Sequence, residues 1–428
     1  MRTWLEIDKQ ALLHNLRQFL NLIGPQVHPH TKDSSSLSPD SRRDNFGVGV
    51  KFMAVVKANA YGHGVREIAQ IIQHSTFNIL PVGRQVQHSI WFGVDSIDEA
   101  LVLRQEGITA PILTLGYVPL DRLEDAVTNN IRLTVYNKET IEKLALALSP
   151  LPAGEGGGEG AIRIHLKVET GTSRQGISEN EILDFVKFTK QYPQIEIEGL
   201  STHFANIEDT TDHSYAQSQL DAFKRVVALL EANGINIPVK HTACSAATIL
   251  FPETHFDMVR AGISLYGLWS SKETFVSASQ SSPPSVGGVR GGGHIDLVPV
   301  LSWKSMIAQI KKIPAGTPVG YGLTERVSHD SKIAIVPVGY YDGYDRKLSS
   351  VGNVLIRGKR CKVLGRVCMN MMVVDITDVP DARLEDEVVL LGAQDQERIT
   401  AEELAQKIGT INYEVVTRIN PLLPRVIK

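Results

Sequence analysis

The stretch FMAVVKANAYGHGVREIAQIIQ (52–73) decides how the rest of the chain is read. Its opening apolar run, FMAVVKA (52–58), has the length of a buried strand and carries a lysine, Lys57, near its end. VREIAQIIQ (65–73) then carries helical spacing. The same strand–turn–helix rhythm continues downstream. Further candidate strands are WFGV (91–94), APILTLG (110–116), IRLTVY (131–136), AIRIHLKV (161–168), IEIEGLST (195–202), VKHTA (239–243) and FDMVR (256–260). Helical patterns lie between them, among them IDEALVLRQEG (97–107), LDRLEDAV (120–127), KETIEKLALAL (138–148) and SYAQSQLDAFKRVVALLEANG (214–234), the last capped by Gly234. Eight strands alternating with helices predict parallel βαβ units. Eight also closes a (β/α)8 TIM barrel, which the pattern favours over an open doubly wound sheet.

Past residue 294 the texture changes. VLSWKSMIAQIKKI, SKIAIVPVGYY, GNVLIRGKRCKVLGRVCMNMMVVDIT and DEVVLLG alternate apolar and polar residues between glycines, which predicts a second, mainly antiparallel β domain. One helix is expected there, TAEELAQKIG (400–409), with Thr400 and Glu403 as a capping box and Gly409 as its stop. The expected domains are therefore a barrel over 1–269, a flexible linker or insert over 270–294, and a C-terminal β domain over 295–428. The opening strand is a candidate to pack on the second domain. Two other polar segments, 28–47 and 154–160, read as inserted surface loops.

Composition excludes several classes. Of 428 residues, 43% are hydrophobic and 21% charged, so a disordered chain is ruled out. A net charge of −3 gives no electrostatic reason to bind nucleic acid. No apolar run approaches the ~18 residues of a membrane span. The opening MRTWLEIDKQ is too charged for a secretory signal, and three scattered cysteines do not make a disulfide framework. A cytoplasmic protein without a membrane or nucleic-acid partner is expected.

If the first domain is a barrel, chemistry belongs at the C-terminal ends of its strands. Lys57, Lys167, Arg174, His203, Ser245, Arg260 and Gly262 all fall there. Singly, each has an ordinary explanation: a solvated rim charge, a satisfied histidine, a turn glycine. Together they are confined to one rim. Apolar residues 53–56 before Lys57 suggest a dry amine, and desolvation leaves a neutral nucleophile suited to Schiff-base chemistry. Ser245 at a helix start, and Gly262 with Ile263 after the last strand, offer backbone N–H donors of the kind a phosphate needs. A phosphorylated aldehyde cofactor fits both features. No metal site is expected.

The motif AVVKANAYGHG resembles the signature of the alanine racemases, pyridoxal-phosphate enzymes that combine a barrel with a C-terminal β domain. TWLEIDKQALLHNL, KVETGTSR, STHFAN, HTACSAA, VRAGISLYG, VGYGLT, PVGYYDGYDR, LGRVCMNM and INYEV follow in the family's order over nearly the whole chain. The resemblance implies interconversion of L- and D-alanine through a pyridoxal 5′-phosphate aldimine, with D-alanine destined for peptidoglycan. Lys57 would hold the cofactor and act as one base, and Tyr321 would be the opposite base with His203 in its network. Tyr61, Ser245, Gly262, Ile263 and Tyr413 would bind the phosphate. Arg260 would face the pyridine nitrogen, and Arg174, with Lys167 beside it, the phenolic oxygen and substrate. Met369 would bind the substrate carboxylate, and Tyr340 and Arg346 would line the entrance. A homodimer with sites shared between chains is implied as well.

Two departures from the family pattern stand out: Cys244 before Ser245 where many relatives have Asn, and Asn370 after Met369 where Asp is usual. The rival readings are a barrel-type pyridoxal-phosphate amino-acid decarboxylase, a racemase of broader specificity, and a non-enzymatic pyridoxal-phosphate carrier. Arg260, where such decarboxylases carry an acid, and the second domain with Tyr321 weigh against the first and last.

Overall fold

The computed structural model describes residues 2–24, 49–79, 90–148, 161–280 and 295–428. The chain divides into two compact units. One comprises Leu13–Lys57 and Ile72–Leu297, the other Met1–Leu12, Ala58–Ile71 and Val298–Lys428. The first strand, β1 (Thr3–Ile7), belongs to the second of these. The eight strands expected from the sequence form the first: β2 (Lys51–Val55), β3 (Ile90–Val94), β4 (Ile112–Thr114), β5 (Arg132–Val135), β6 (Ile162–Lys167), β7 (Ile195–Ser201), β8 (Val239–His241) and β9 (Met258–Ala261). All neighbours are parallel, in the order β8-β7-β6-β5-β4-β3-β2-β9. Backbone bonds Asp257 N–H to Lys240 C=O (3.0 Å) and Arg260 N–H to Ala243 C=O (3.1 Å) join the two ends, so the sheet is nearly closed into a barrel. Burial on both faces explains the unbroken apolar runs: every residue of β3, IWFGV, is buried.

One irregularity shapes the interior. Ile164 pairs with Ile197, but His165 pairs with Gly199, so Glu198 is the extra residue of a β-bulge. The bulge turns the Glu198 carboxylate inward, where Arg132 Nε donates to it at 2.6 Å. Gly199 makes room for the imidazole of His165: a Cβ there would lie 2.1 Å from its Nδ1.

In the other unit a ten-stranded sheet runs β11-β14-β17-β16-β15-β18-β10-β1-β20, with β19 paired to β18. Its members are β1, β10 (Leu301–Met306), β11 (Gln309–Ile313), β14 (Ser331–Val336), β15 (Asn353–Ile356), β16 (Lys359–Leu364), β17 (Met372–Asp375), β18 (Glu387–Gln394), β19 (Glu397–Ile399) and β20 (Arg425–Ile427), while β12 (Pro318–Val319) and β13 (Glu325–Arg326) pair separately. All its pairings are antiparallel except β1 with β20. Alternation of buried and part-exposed residues in β1 and β10 matches their two-residue period, and Leu5 sits opposite Trp303. Thr400 caps the helix Ala401–Ile408 by accepting from the Glu403 N–H (3.1 Å), and Gly409 ends it at φ 73°. Glu403 does not complete the box, because its carboxylate takes Arg360 instead (2.8 Å).

Two expectations change. The reading of 270–294 as a flexible linker fails over Lys272–Gln280, which is a helix. Ser271 Oγ accepts from the Thr274 N–H (2.9 Å), buried Thr274 donates to the Glu208 carbonyl (2.9 Å), and the Phe275 ring packs on Trp269 at 5.3 Å. A capped turn with its own buried contacts outweighs the loop-like composition. The strand at 52–58 also ends early, at Val55, because the backbone turns left-handed at Ala58. The segments 28–47 and 154–160 lie outside the described residues.

Gly199→Ala drives a methyl group into the His165 ring and is expected to destabilise the protein by about 1–3 kcal/mol. The check is the urea midpoint; an unchanged midpoint would mean that the barrel at this bulge yields freely.

Candidate active site

The barrel rim gathers the expected cations into one place. Lys57 follows β2, and its ammonium lies 3.6 Å from Asp95 Oδ1, just past β3. Its side chain is 40% exposed, so the dry environment expected of it is not what surrounds it. Lys167 ends β6. Burial and then the charges of Arg260 and Arg174 push its amine well below the ordinary lysine value, against an opposing pull from Glu169. His203, two residues past β7, is pushed down by burial and by Lys167, Arg260, Arg174 and Lys57, so its imidazole is neutral at pH 7. Arg174 sits in an exposed loop folded around Glu169, whose carboxylate accepts the N–H groups of Gly171 (2.5 Å), Thr172 (2.6 Å) and Arg174 (3.1 Å).

Arg260 is the buried centre. Its Nη1 donates to the His241 carbonyl (2.9 Å) and to His241 Nδ1 (2.6 Å). Its Nη2 donates to the carbonyls of Thr202 (2.9 Å) and Thr242 (2.8 Å), with His203 Nδ1 at 3.5 Å. Burial lowers the guanidinium to about 10, so it stays charged at neutral pH. Four of the five N–H groups are thus accounted for, and among the described residues the Nε–H has no protein acceptor.

Because arginine only donates, His241 Nδ1 must accept, which puts its proton on Nε2. That Nε2–H donates to His165 Nδ1 (2.8 Å), and His165 Nε2–H then donates to Glu198 (3.2 Å). Burial lowers both imidazoles, so they are neutral. Arg132 closes the chain on Glu198, with its guanidinium 4.6 Å from the Trp91 ring centroid. Donation therefore runs as a relay from Arg260 through His241 and His165 to Glu198, which Arg132 meets from the other side. His241, His165, Glu198 and Arg132, and Asp95, were not anticipated. His165 and His241 lie within quoted motifs, and IRIHLK interrupts an apolar run with polar residues, but only the three-dimensional register joins them.

Ser245 Oγ accepts the Gly262 N–H (2.9 Å), which brings the ends of β8 and β9 together at two helical starts, Ser245–Leu250 and Ile263–Tyr266. Directly after Lys57, the residues Ala58, Asn59, Ala60 and Tyr61 all take left-handed backbone angles, φ 52–54°. That turn is held by Gly62 N–H to Ala58 C=O (3.0 Å), Gly64 N–H to Asn59 C=O (2.9 Å) and the Val65 N–H to the Asn59 side chain (2.9 Å). It sets the Tyr61 ring 6.0 Å from Tyr413.

In the C-terminal unit the Tyr340 and Tyr341 N–H groups donate to the carbonyls of Cys368 (3.1 Å) and Met369 (3.0 Å), placing Tyr340 beside Met369. A Cβ on Gly339 would lie 2.1 Å from the Cys368 oxygen, so these segments touch through backbone. Tyr321 stands on a short turn between Gly320 (φ 72°) and Gly322 (φ 75°), with 72% of its surface exposed. Met369 is 55% exposed, and Arg346 is exposed too.

The residues present fit pyridoxal phosphate. A lysine amine, a charged arginine with an unclaimed N–H on the adjoining strand, and backbone donors at two helical starts are the three things its aldehyde, ring nitrogen and phosphate require.

Comparison with known proteins gives one family. Residues 42–270 match the alanine racemase N-terminal domain and 300–427 the alanine racemase C-terminal domain. The chain is 35% identical over 426 residues to an alanine racemase of Leptospira interrogans, covering 99% of this chain and 95% of that protein. It is 38% identical to one of Halothermothrix orenii, covering 100% and 97%. Among solved structures it is similar to the alanine racemase of Clostridium difficile 630 (TM-score 0.81, 31% identity, 100% and 96% covered). It is also similar to that of Bacillus anthracis with bound L-Ala-P (TM-score 0.79, 32% identity, 100% and 95% covered).

Glu198 ties the relay to pH. Burial raises its pKa, but the bonds from His165 and Arg132 overcome this and hold it at about 2, against 4.5 unperturbed. Its stabilisation is complete above the unfolded value and is lost as pH falls toward the folded one. Glu198→Gln is expected to lower stability at pH 7 by about 3 kcal/mol and to flatten the loss of stability between about pH 5 and 2. Urea melts across that range check it; a variant as acid-sensitive as the parent would place the titrating carboxylate elsewhere.

Proposed function

The chain belongs to the alanine racemase family, and on that premise we propose that it interconverts L- and D-alanine with pyridoxal 5′-phosphate held at the barrel rim. When bound, this cofactor supplies an electron sink that acidifies the substrate Cα–H. The observation that carries the reading is the convergence of Lys57 and Arg260 on one set of groups: β2 and β9 are neighbouring strands, and the charges of both residues act on Lys167 and His203. Lys57 Nζ is the attachment point. Arg260 would donate to the ring nitrogen and keep its own proton, which would disfavour the full electron withdrawal that transamination and decarboxylation exploit. Tyr61, Ser245, Gly262, Ile263 and Tyr413 would hold the phosphate, and Arg174, with Lys167, would serve the phenolic oxygen.

Inverting a stereocentre needs a proton removed on one face and delivered on the other. Lys57 holds or takes the Cα proton on one face and Tyr321 on the opposite one, with His203 in the tyrosine's network. A tyrosine serves as a base only with hydrogen-bonding or positively charged neighbours, a part assigned here to His203 and Arg260. Met369 N–H orients the substrate carboxylate, and Tyr340 and Arg346 select at the entrance. The exposure of Tyr321, Met369 and Leu323 supports a second copy of the chain as the cover for this face, with Tyr321 of one subunit completing the site of the other. In a cell-wall-building organism the D-alanine formed serves peptidoglycan. No helix among the described residues is long and apolar enough to cross a membrane.

A coupled assay for D-alanine from L-alanine tests the activity, and L-serine run in parallel separates a strict racemase from one of broader specificity. Borohydride reduction followed by peptide mapping should place the pyridoxyl label on Lys57. Label on another lysine would overturn the assignment. Lys57→Ala and Tyr321→Ala proteins should each be nearly inactive. Mixed after subunit exchange, they should recover roughly a quarter of wild-type activity, since about half the dimers are mixed and each carries one intact site of two. Exchange without recovery would put both bases in one chain.

A further inference from the structure

We propose that Gln219 is a positioning residue: from one face of the helix Ser214–Ala232 it ties the loop that carries Arg174 to the segment that carries His203, and so sets where these two groups stand relative to each other. The inference rests on the roles given to Arg174 and His203 above. Gln219 is fully buried, and among the described residues its amide bonds only to those two segments. Its Oε1 accepts the Ala205 N–H (2.8 Å), and its Nε2 donates to the His203 carbonyl (3.3 Å) and to Thr170 Oγ1 (3.4 Å). The hydroxyls leave one direction for that last bond. Thr202 Oγ1 donates its single proton to the Val168 carbonyl (3.0 Å), so Thr170 donates to Thr202 (2.7 Å) and offers Gln219 its lone pairs. Thr172 Oγ1 also donates to the His203 carbonyl (2.6 Å), so that oxygen is held from the helix and from the Arg174 loop together. One turn earlier on the same helix face, Tyr215 donates to the Gly171 carbonyl (2.8 Å). Gly171 stands at φ 131°, and a Cβ there would lie 2.6 Å from the Tyr215 hydroxyl oxygen and 3.5 Å from Gln219 Cγ. The loop is laid directly against this helix.

Neither segment is placed by its strand alone, since β6 ends at Lys167 and β7 at Ser201. Glu169 gives the Arg174 loop its shape through the loop's own N–H groups. Gln219 and Thr172 give it its place. Arg260 grips the other segment from the barrel interior at the Thr202 carbonyl (2.9 Å), and Gln219 grips it from the helix at His203 and Ala205. Removing the amide would leave a backbone N–H without its acceptor and break the bond that spans both segments. In the proposed reaction Arg174 and His203 serve the bound substrate, whereas attachment belongs to Lys57. A change in their spacing therefore acts on turnover and not on attachment.

The test uses the full-length protein. Gln219→Met keeps the length of the side chain and removes its hydrogen bonds. Hydrogen exchange followed by mass spectrometry reads the two segments without any turnover. Peptides covering 169–176 and 203–206 should exchange about tenfold faster than in the parent, the size expected for one buried hydrogen bond, while peptides from β2, β3 and β5 keep the parent rate. Tyr215→Phe should loosen 169–176 alone. In the loaded enzyme, borohydride should fix as much pyridoxyl label on Lys57 of Gln219→Met as on the parent, while kcat falls about tenfold. Thr172→Val removes the other bond to the His203 carbonyl, so the double variant should lose less kcat than the product of the two single losses. A merely structural lesion would multiply. Gln219→Leu, expected to match Gln219→Met, guards against a variant that does not fold; failure of both to fold would make Gln219 a core residue and overturn the proposal. Parent-like exchange in either segment, or loosening spread evenly over the barrel, would overturn it as well. A parent protein that forms no D-alanine, with both segments loosened in Gln219→Met, would instead overturn the assigned activity and leave the tie standing.

Discussion

A guanidinium taken out of water must be met by acceptors on nearly every N–H, and Arg260 imposes that demand where the barrel is weakest. β8 and β9 are the ends of the sheet order and are not joined by a ladder of strand pairs. The gap is crossed by two backbone bonds and by Arg260 itself, which gathers the carbonyls of Thr202, His241 and Thr242 from the ends of β7 and β8. Closing the barrel and building the site are therefore one event. The same demand propagates outward: Arg260 fixes the tautomer of His241, His241 fixes that of His165, and His165 needs the anion at Glu198. That anion exists inside the barrel because a bulge inserts one residue into β7, and because Gly199 leaves space for a ring. Each element is explicable only by the next.

The fold was legible because its signals are local and repeated. Strands buried on both faces must be apolar throughout, and eight such runs alternating with helices leave few architectures open. The C-terminal sheet was equally legible from its two-residue alternation. What escaped was set by register or by a single cap. The sequence IEIEGLS contains nothing that marks Glu198 as a bulge, since the irregularity exists only relative to β6. Asp95 looks like any acid before a helix start until the neighbouring strand brings Lys57 to it. The helix Lys272–Gln280 was hidden by composition: Ser and Thr suggest a loop, yet the Ser271–Thr274 cap and the buried Thr274 hydroxyl commit the segment to helix.

Residues after Lys57 show a further limit of propensity reasoning. Alanine and tyrosine resist left-handed angles at roughly 1–2 kcal/mol each, so nothing in AVVKANAY favours four in succession. The compensation lies downstream, in Gly62 and Gly64 and in the Asn59 side chain that accepts the Val65 N–H. Arg425 then secures the Gly62 carbonyl (2.8 Å), and a Cβ at 62 would sit 2.0 Å from the Val416 oxygen. These glycines hold a strained turn directly after Lys57.

The chain carries a net charge of −3, yet its barrel rim concentrates Lys57, Lys167, Arg174 and Arg260. Such a cluster raises the energy of the fold unless something negative answers it. Two carboxylates are close by, but Glu169 is occupied by backbone N–H groups and Asp95 answers Lys57 alone. The remaining repulsion is visible in Lys167 and His203, both pushed toward their neutral forms. An anion settling among these groups relieves the repulsion and draws both pKa values back up, so binding and proton uptake are coupled. A phosphate and a carboxylate, the charged parts of the proposed cofactor and substrate, are suited to that task. The rim selects first for negative charge, which acts at a distance, and only afterwards for shape, which Gly262 and Ile263 decide at contact. Arg260 remains a cation in spite of its burial because four of its N–H groups meet acceptors, the carbonyls of Thr202, His241 and Thr242 and the Nδ1 of His241, so the charge is taken up by dipoles already fixed at the strand ends.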